Sequence, residues 1–282
     1  MSQHHRARVE RQQAAGPLPG TAGQIARILR NTLAADDLYG PAGSAAYHDL
    51  TASDTSEVRD VLALLRGVQG PVLELACGAG RLTLPLLAAG HHVTGVDASP
   101  SLLGLLSRRL SEPPAARLAA RLTLVEADMC TVDLSHRFSA ALLGTTTIGL
   151  VPPERRRRFF DNIHRHLQSD GLFILSVYTP APTGHGGGQT HGDTVQALFT
   201  EQAVHLLIEH KLSATEQRQV SILRLSDDGP PRLFTSRVHT PSEQTVRSEL
   251  TDSGFQIQSV EPVRPTAASA SSAVLILARR AG

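Results

Sequence analysis

At 282 residues with 41% apolar side chains, the chain has the length for one large α/β domain or two small ones, a single elaborated domain being the expectation, and ample material for a folded core. Lys and Arg number 27 against 26 Asp and Glu, a formal charge of +1 that forces no face toward phosphate polymers or acidic lipid and excludes nucleic acid as an expected substrate. The two cysteines, Cys77 and Cys130, are far apart in sequence; they suggest neither a disulfide framework nor a metal cluster and point to a reducing cytoplasm. The first residues, Met1 to Arg11, are polar with no apolar core for export, and no apolar run approaches a membrane span.

Residues 1–22 mix Gln, His, Arg, Ala, Gly and Pro without a period and read as a mobile tail. In 23–66 the pattern predicts an amphipathic helix over Ile25 to Leu33, a break over Asp36 to Gly43 and a further stretch from Ala45 to Leu50, together a helical lid segment. Val58, Val61, Leu62 and Leu65 then recur at the spacing of a helix laid on a core.

Strand and helix signals alternate through 67–178: strands at Val72 to Ala76, His92 to Val96, Leu122 to Glu126, Ala140 to Gly144 and Leu172 to Tyr178, with helices from Arg81, Ser101 to Leu110 and Glu154 to Leu167 between them. This order predicts a mainly parallel sheet with helices on both faces. From Thr179 to Asp193 a Gly- and Pro-rich stretch containing His185 and His191 reads as a long loop. Extended stretches at Val204 to Lys211, Gln219 to Leu225 and Arg232 to His239 predict a small antiparallel insertion, so 179–241 is expected to shape the acceptor side. A helix over Ser242 to Ser253 and strands at Gln256 to Val260 and Ala273 to Ala278 close the main sheet within 242–282.

The chemistry concentrates where Val72-Leu-Glu-Leu-Ala-Cys-Gly-Ala-Gly80 runs from an apolar strand into a turn of small residues. Gly78 and Gly80 permit close backbone approach of a nucleotide-like ligand, and Asp97, closing the next strand about 20 residues on, has the spacing at which a carboxylate accepts from ribose hydroxyls. A strand followed by Gly-x-Gly is by itself also found in nicotinamide and flavin folds. Cys77, inside the turn, reads as a small packing residue, and Arg155 to Arg158 reads as a solvated helix face.

Taken with Asp97, with Ala127-Asp128-Met129 after the third strand and with Thr145-Thr146-Thr147 after the fourth, the Val72 to Gly80 motif resembles the class I S-adenosylmethionine-dependent methyltransferases. The resemblance implies a Rossmann-like, seven-stranded, mainly parallel sheet, with S-adenosyl-L-methionine as cofactor. It places Glu74 near the amino-acid part of the cofactor, Ala76 where the family pattern usually has its first glycine, Asp97 and Ala98 at the ribose, Asp128 and Met129 at the adenine, and Thr145 and Thr146 where sulfonium and acceptor meet. Tyr39, Tyr47 and His48 fall where small-molecule N-methyltransferases of this kind carry an aromatic lid, so they join Thr146 as the expected catalytic group. No metal is expected.

The sequence Asp37-Leu-Tyr-Gly-Pro-Ala-Gly43 and Tyr47-His-Asp-Leu50 resembles, less specifically, the daptide-type methyltransferases of ribosomal peptide natural-product pathways. That likeness implies dimethylation of an amine at the C-terminus of a modified peptide. A sugar-amine or other small-metabolite N- or O-methyltransferase, and a non-catalytic cofactor-binding subunit, are the competing expectations. The expected partners are a small-molecule or modified-peptide acceptor, with neither nucleic acid nor membrane, and a homodimer is the oligomeric alternative to a monomer.

Overall fold

The computed structural model describes residues 18–29, 32–51, 55–179, 193–212, 215–264 and 272–282. In chain order these form α1 (Gly20–Ile28), β1 (Ala34–Asp37), α2 (Pro41–Thr51), α3 (Val58–Leu64), β2 (Val72–Leu75), α4 (Thr83–Ala88), β3 (Val93–Asp97), α5 (Pro100–Ser111), β4 (Leu122–Glu126), β5 (Phe138–Leu143), α6 (Pro153–His166), β6 (Leu167–Thr179), β7 (Asp193–Phe199), β8 (Val204–Leu212), β9 (Gln217–Leu225), β10 (Arg232–His239), α7 (Glu243–Asp252), β11 (Phe255–Pro262) and β12 (Ser272–Arg280). Short 3-10 turns occupy Ala115–Arg121 and Thr147–Leu150. The chain divides into two compact units, one from the described residues of 1–50 and 184–238, the other from those of 51–183 and 239–282.

The larger unit is built on a seven-stranded sheet of order β11-β12-β6-β5-β2-β3-β4. Strands β6 through β4 run parallel, and β12 is antiparallel to both β6 and β11. Neighbours β2 and β5 lie at the point where the strand order reverses, which is where ligands settle outside the carboxyl ends of such sheets. Both faces are buried, and the alternation is visible in the packing. Leu73, Leu75, Ala141, Leu143, Phe173 and Leu175 pack with Phe159, Phe160 and Ile163 of α6 and Val246 and Leu250 of α7. Val72, Ala140, Leu142 and Ile174 face the other way, onto Val61 of α3, Leu86 and Leu87 of α4, and Leu103, Leu106 and Leu110 of α5. Two-sided burial explains why these strands carry apolar residues at consecutive positions and not only at alternate ones. Helix α5 starts on Pro100 behind the N-cap Ser99, and α7 starts behind Ser242, whose hydroxyl accepts from the Thr245 amide at 3.0 Å.

The smaller unit carries a five-stranded sheet of order β1-β10-β9-β8-β7. The three expected extended stretches are β8, β9 and β10, and two more strands join them. One is β7, antiparallel to β8, in a place read no further than the loop before it. The other is β1, which lies inside the segment read as helical. It runs parallel to β10, with Asp36 paired to Arg232 at 2.6 Å and Asp37 accepting from the Ser236 hydroxyl at 2.5 Å. The helix expected over Ile25 to Leu33 instead spans Gly20 to Ile28, so residues 20–22 of the stretch expected to be tail are helical, and the run Ala34-Ala-Asp-Asp37 becomes extended through this cross-strand pairing rather than through its own propensity. The N-terminal tail through residue 17, and His185 and His191 in the loop, lie outside the described residues.

Candidate functional site

The glycine turn is held by its own backbone and by β3. Cys77 donates to the Val96 carbonyl at 3.1 Å, and Gly80 donates to the Cys77 carbonyl at 3.0 Å. Gly78 and Gly80 have φ values of +56° and +90°. The two glycines are required for different reasons. A Cβ on Gly80 would stand 2.4 Å from Cδ1 of Leu106, whereas one on Gly78 would have only the Leu102 side chain, 3.8 Å away, leaving that backbone open to close approach. Ala76, which replaces the first glycine of the pattern, is left-handed at φ 52°, so its methyl group costs strain at this position. Cys77 packs under Gly95 of β3, where an added Cβ would meet its sulfur at 2.9 Å. Burial pushes the Cys77 thiol far above its usual range, in keeping with a packing residue and not a nucleophile. Helix α4 begins at Thr83 and is only 6 residues long, shorter and later than the helix expected from Arg81.

Asp97 ends β3 and ties that strand to the turn. One carboxylate oxygen accepts from the Gly78 amide and the other from the Ser99 amide, both at 2.8 Å. Burial raises its pKa against the opposing pull of these amides. Each oxygen retains a second lone pair, so the pair can still accept from two vicinal hydroxyls. Ala98 follows, exposed.

Glu74 points to the α4 side of the sheet and is 3% exposed. Its carboxyl accepts from the Thr83 hydroxyl at 2.6 Å, and burial pushes its pKa up to about 7. At the end of β4, Asp128 is exposed and accepts from the Cys130 amide at 2.8 Å and from Arg155 at 3.1 Å. Partial burial raises the Asp128 pKa, but these bonds outweigh it and hold the carboxyl below its usual value. Met129 is half-buried against the core. Thr145 and Thr146, at the end of β5, are both left-handed, with φ values of 55° and 54°. The Thr145 amide donates to Glu57 and the Thr146 amide to Ser176.

All nine cofactor candidates and Thr146 thus belong to the larger unit and gather at the carboxyl ends of β2, β3, β4 and β5. The remaining catalytic candidates belong to the smaller unit. There Tyr39 and Tyr47 bring their ring centroids to 6.4 Å at 51° between planes, with His48 in the last turn of α2. The Tyr39 amide donates to Asp37 at 3.1 Å, and burial raises the Tyr39 phenol well above its usual range.

Residues 72–171 match the protein family described as "Methyltransferase domain". The chain carries a class I S-adenosylmethionine-dependent methyltransferase domain. The cypemycin N-terminal methyltransferase of Streptomyces sp is 28% identical over 124 residues, 44% of this chain and 48% of that protein, so the match spans about half the length of this relative. Among solved structures, the glycopeptide N-methyltransferase MtfA in complex with sinefungin is 28% identical, with a TM-score of 0.66 over 95% of this chain and all of that one (100%). The CcbJ methyltransferase from Streptomyces caelestis, 23% identical with a TM-score of 0.67 over 80% of this chain and 90% of its own, shares the fold.

Four further residues contribute to this part of the molecule without a local sequence signal for it. Glu57 precedes the apolar helix positions and bonds the Thr145 amide. Ser176 is a lone hydroxyl among apolar neighbours in β6 and bonds the Thr146 amide. Arg155 and Arg156 belong to a basic run whose pattern predicts a solvated face, yet Arg155 bonds Asp128. The structure corrects that: Arg156 is 2% exposed, donating to the Val151 carbonyl at 3.1 Å and to Glu249 at 3.2 Å. Among the described residues no group of three or more His, Cys, Asp and Glu side chains is placed to hold a metal ion.

Proposed function

We propose that the chain is an S-adenosylmethionine-dependent methyltransferase that moves a methyl group to an amine of a peptide-derived natural product. The observation that carries this reading is the bond of the Gly78 amide to Asp97, which sets a bare glycine turn beside a carboxylate at the sheet's switch point. The residues fit the cofactor. Asp97 has the acceptor capacity for both ribose hydroxyls, Gly78 opposes no side chain to close approach, and Asp128 keeps lone pairs for an exocyclic amine beside Met129. When bound, S-adenosylmethionine supplies a methyl group already activated on a sulfonium, so what the chain must add is position.

Glu74 acts from beneath the turn. Its hydrogen bond to Thr83 fixes the end of β2 against α4, and the near-neutral carboxyl limits the charge buried there. Thr145 and Thr146 line the other side of the switch point. An aliphatic amine is protonated in neutral water and must shed its proton before attack, and we assign assistance of that step to Tyr39, Tyr47 and His48 of the smaller unit. The likeness to a glycopeptide N-methyltransferase and to the cypemycin N-terminal methyltransferase favours a peptide amine. The daptide-like sequence over Asp37 to Leu50 narrows that to an amine at a peptide C-terminus, methylated twice. Among the described residues no helix is long and apolar enough to cross a membrane.

The test is transfer of isotope-labelled methyl from S-adenosylmethionine to a panel of peptides with N-terminal or C-terminal amines, amino sugars and phenols. Label on a peptide amine is the expected result. Label on an amino sugar alone would move the chain to sugar-amine chemistry, and cofactor binding with no transfer to any acceptor would make it a binding subunit.

A further inference from the structure

Among the described residues, five that are not glycine have a left-handed backbone: Glu57, Ala76, Thr145, Thr146 and Asp170. Four of these meet at the switch point of the seven-stranded sheet. Ala76 and the Thr145-Thr146 pair end the adjacent strands β2 and β5, and Glu57 is bonded to Thr145. Such backbone persists where surrounding groups over-determine it, and here those groups are visible. The Thr145 amide donates to the Glu57 carboxylate at 2.8 Å, and the next amide, of Thr146, donates to the Ser176 hydroxyl at 2.7 Å. Glu57 is 5% exposed and Ser176 is fully buried on β6.

The same Glu57 oxygen accepts from Arg81 at 2.9 Å, and the other terminal nitrogen of Arg81 donates to the Ser56 carbonyl at 2.7 Å. Arg81 directly follows Gly80. One carboxylate oxygen therefore joins the exit of the glycine turn to the tip of β5. Glu57 stands at the N-cap of α3 without making a side-chain capping bond, so helix formation does not account for it. The fit is close, since a Cβ on Gly144 would come within 3.2 Å of this oxygen.

We propose that Glu57 and Ser176 are positioning residues for methyl transfer, fixing the Thr145-Thr146 turn and, through Arg81, the exit of the glycine turn in one geometry. This rests on the methyltransferase reading above. Two consecutive amides that bonded water would let the turn relax as ligands arrive and leave. Bonded to side chains 88 and 30 residues away, they hold it to one arrangement, which is what a reaction driven by orientation requires.

The test uses the full chain with S-adenosylhomocysteine as probe. In the wild type, NMR hydrogen exchange should find the Thr145 and Thr146 amides protected. Glu57→Ala should raise exchange at Thr145 and weaken S-adenosylhomocysteine binding about tenfold, while Glu57→Gln, which keeps an oxygen acceptor, should restore most of both. Ser176→Ala should release the Thr146 amide and leave Thr145 protected. A Glu57→Ala protein that melts like the wild type, keeps Thr145 protected and binds the probe within about twofold of wild type overturns the proposal. If Glu57→Ala does not fold, the other measurements decide: unprotected amides in the wild type, or exchange in Ser176→Ala identical to wild type, overturn it equally. A wild type that protects both amides but binds no S-adenosylhomocysteine supports the fixed turn while removing the cofactor assignment.

Discussion

In the larger unit, β2, β5 and β6 bury alternate residues on opposite faces, and Glu74, a carboxyl on the α4 side, is pushed up to about 7 by that burial. The strands of the smaller unit are joined by several side-chain polar pairs. Arg218 meets Glu209 across β9 and β8 at 2.7 Å, Gln219 and Ser221 both bond the Thr235 hydroxyl, at 2.6 and 2.8 Å, and Asp193 holds His210 and the Thr21 amide. The first unit spends its sequence on a core that any cofactor-binding sheet of this type needs. In the second, partly buried polar groups help set which strands pair, and the proposed function assigns acceptor recognition to this unit.

If that contrast is right, variants at the strand ends of the larger unit should disturb stability and cofactor binding, and variants in the smaller unit should leave both nearly intact. The largest effect is expected for Gly80→Val. The new Cβ would enter at 2.4 Å from Leu106 in a left-handed backbone, so denaturant unfolding should show a loss of about 3 kcal/mol or more, with S-adenosylhomocysteine binding abolished. Unchanged stability would mean that the turn does not pack on α5.

Next comes Glu74→Gln, which sharpens the electrostatic half of the contrast. Because the folded pKa of about 7 lies above the ordinary 4.5, wild-type stability should fall as pH rises from about 4.5 to about 7 and level off beyond. The neutral variant lacks this loss, so its stability relative to wild type should rise over the same window by up to about 3 kcal/mol, read from denaturant midpoints at pH 5 and 8. A difference that does not change with pH would contradict the burial assigned to this carboxyl.

Tyr39→Phe and Tyr47→Phe probe the smaller unit. Each should leave S-adenosylhomocysteine affinity within about twofold of wild type and change the acceptor KM or kcat several-fold, by about the value of one hydrogen bond. A cofactor affinity that fell with the acceptor constants would erase the division of labour. Arg155→Ala should do least, costing below about 1 kcal/mol of stability, because its ion pair with Asp128 is solvent-exposed on both sides.

The same contrast decides what could be read from sequence. Strands β2 to β5 are short, mostly apolar stretches bounded by turn residues and their helices carry apolar residues at helical spacing, and the β4 boundaries Leu122 to Glu126 coincide with the expected ones. The glycine turn, Asp97 and Asp128 were legible because their spacing is local. Strand β1 was not, since Ala34-Ala-Asp-Asp37 has no alternation and becomes a strand only against β10, about two hundred residues further on. Glu57 and Ser176 were hidden for a related reason: each has meaning only through an amide on a distant strand end. Arg156 looked like its neighbours in a basic run, and only helix α6 docked in place turns that side chain inward onto Val151 and Glu249.

The central claim is that the carboxyl ends of β2 to β5 form an S-adenosylmethionine site with Asp97 at the ribose. Calorimetric titration of S-adenosylhomocysteine into wild type and Asp97→Ala tests it most directly. The account predicts one site per chain in the wild type and an affinity at least about tenfold weaker in the variant, from the loss of charge-assisted hydrogen bonds. Equal affinity in the two proteins, with both folded, would contradict it.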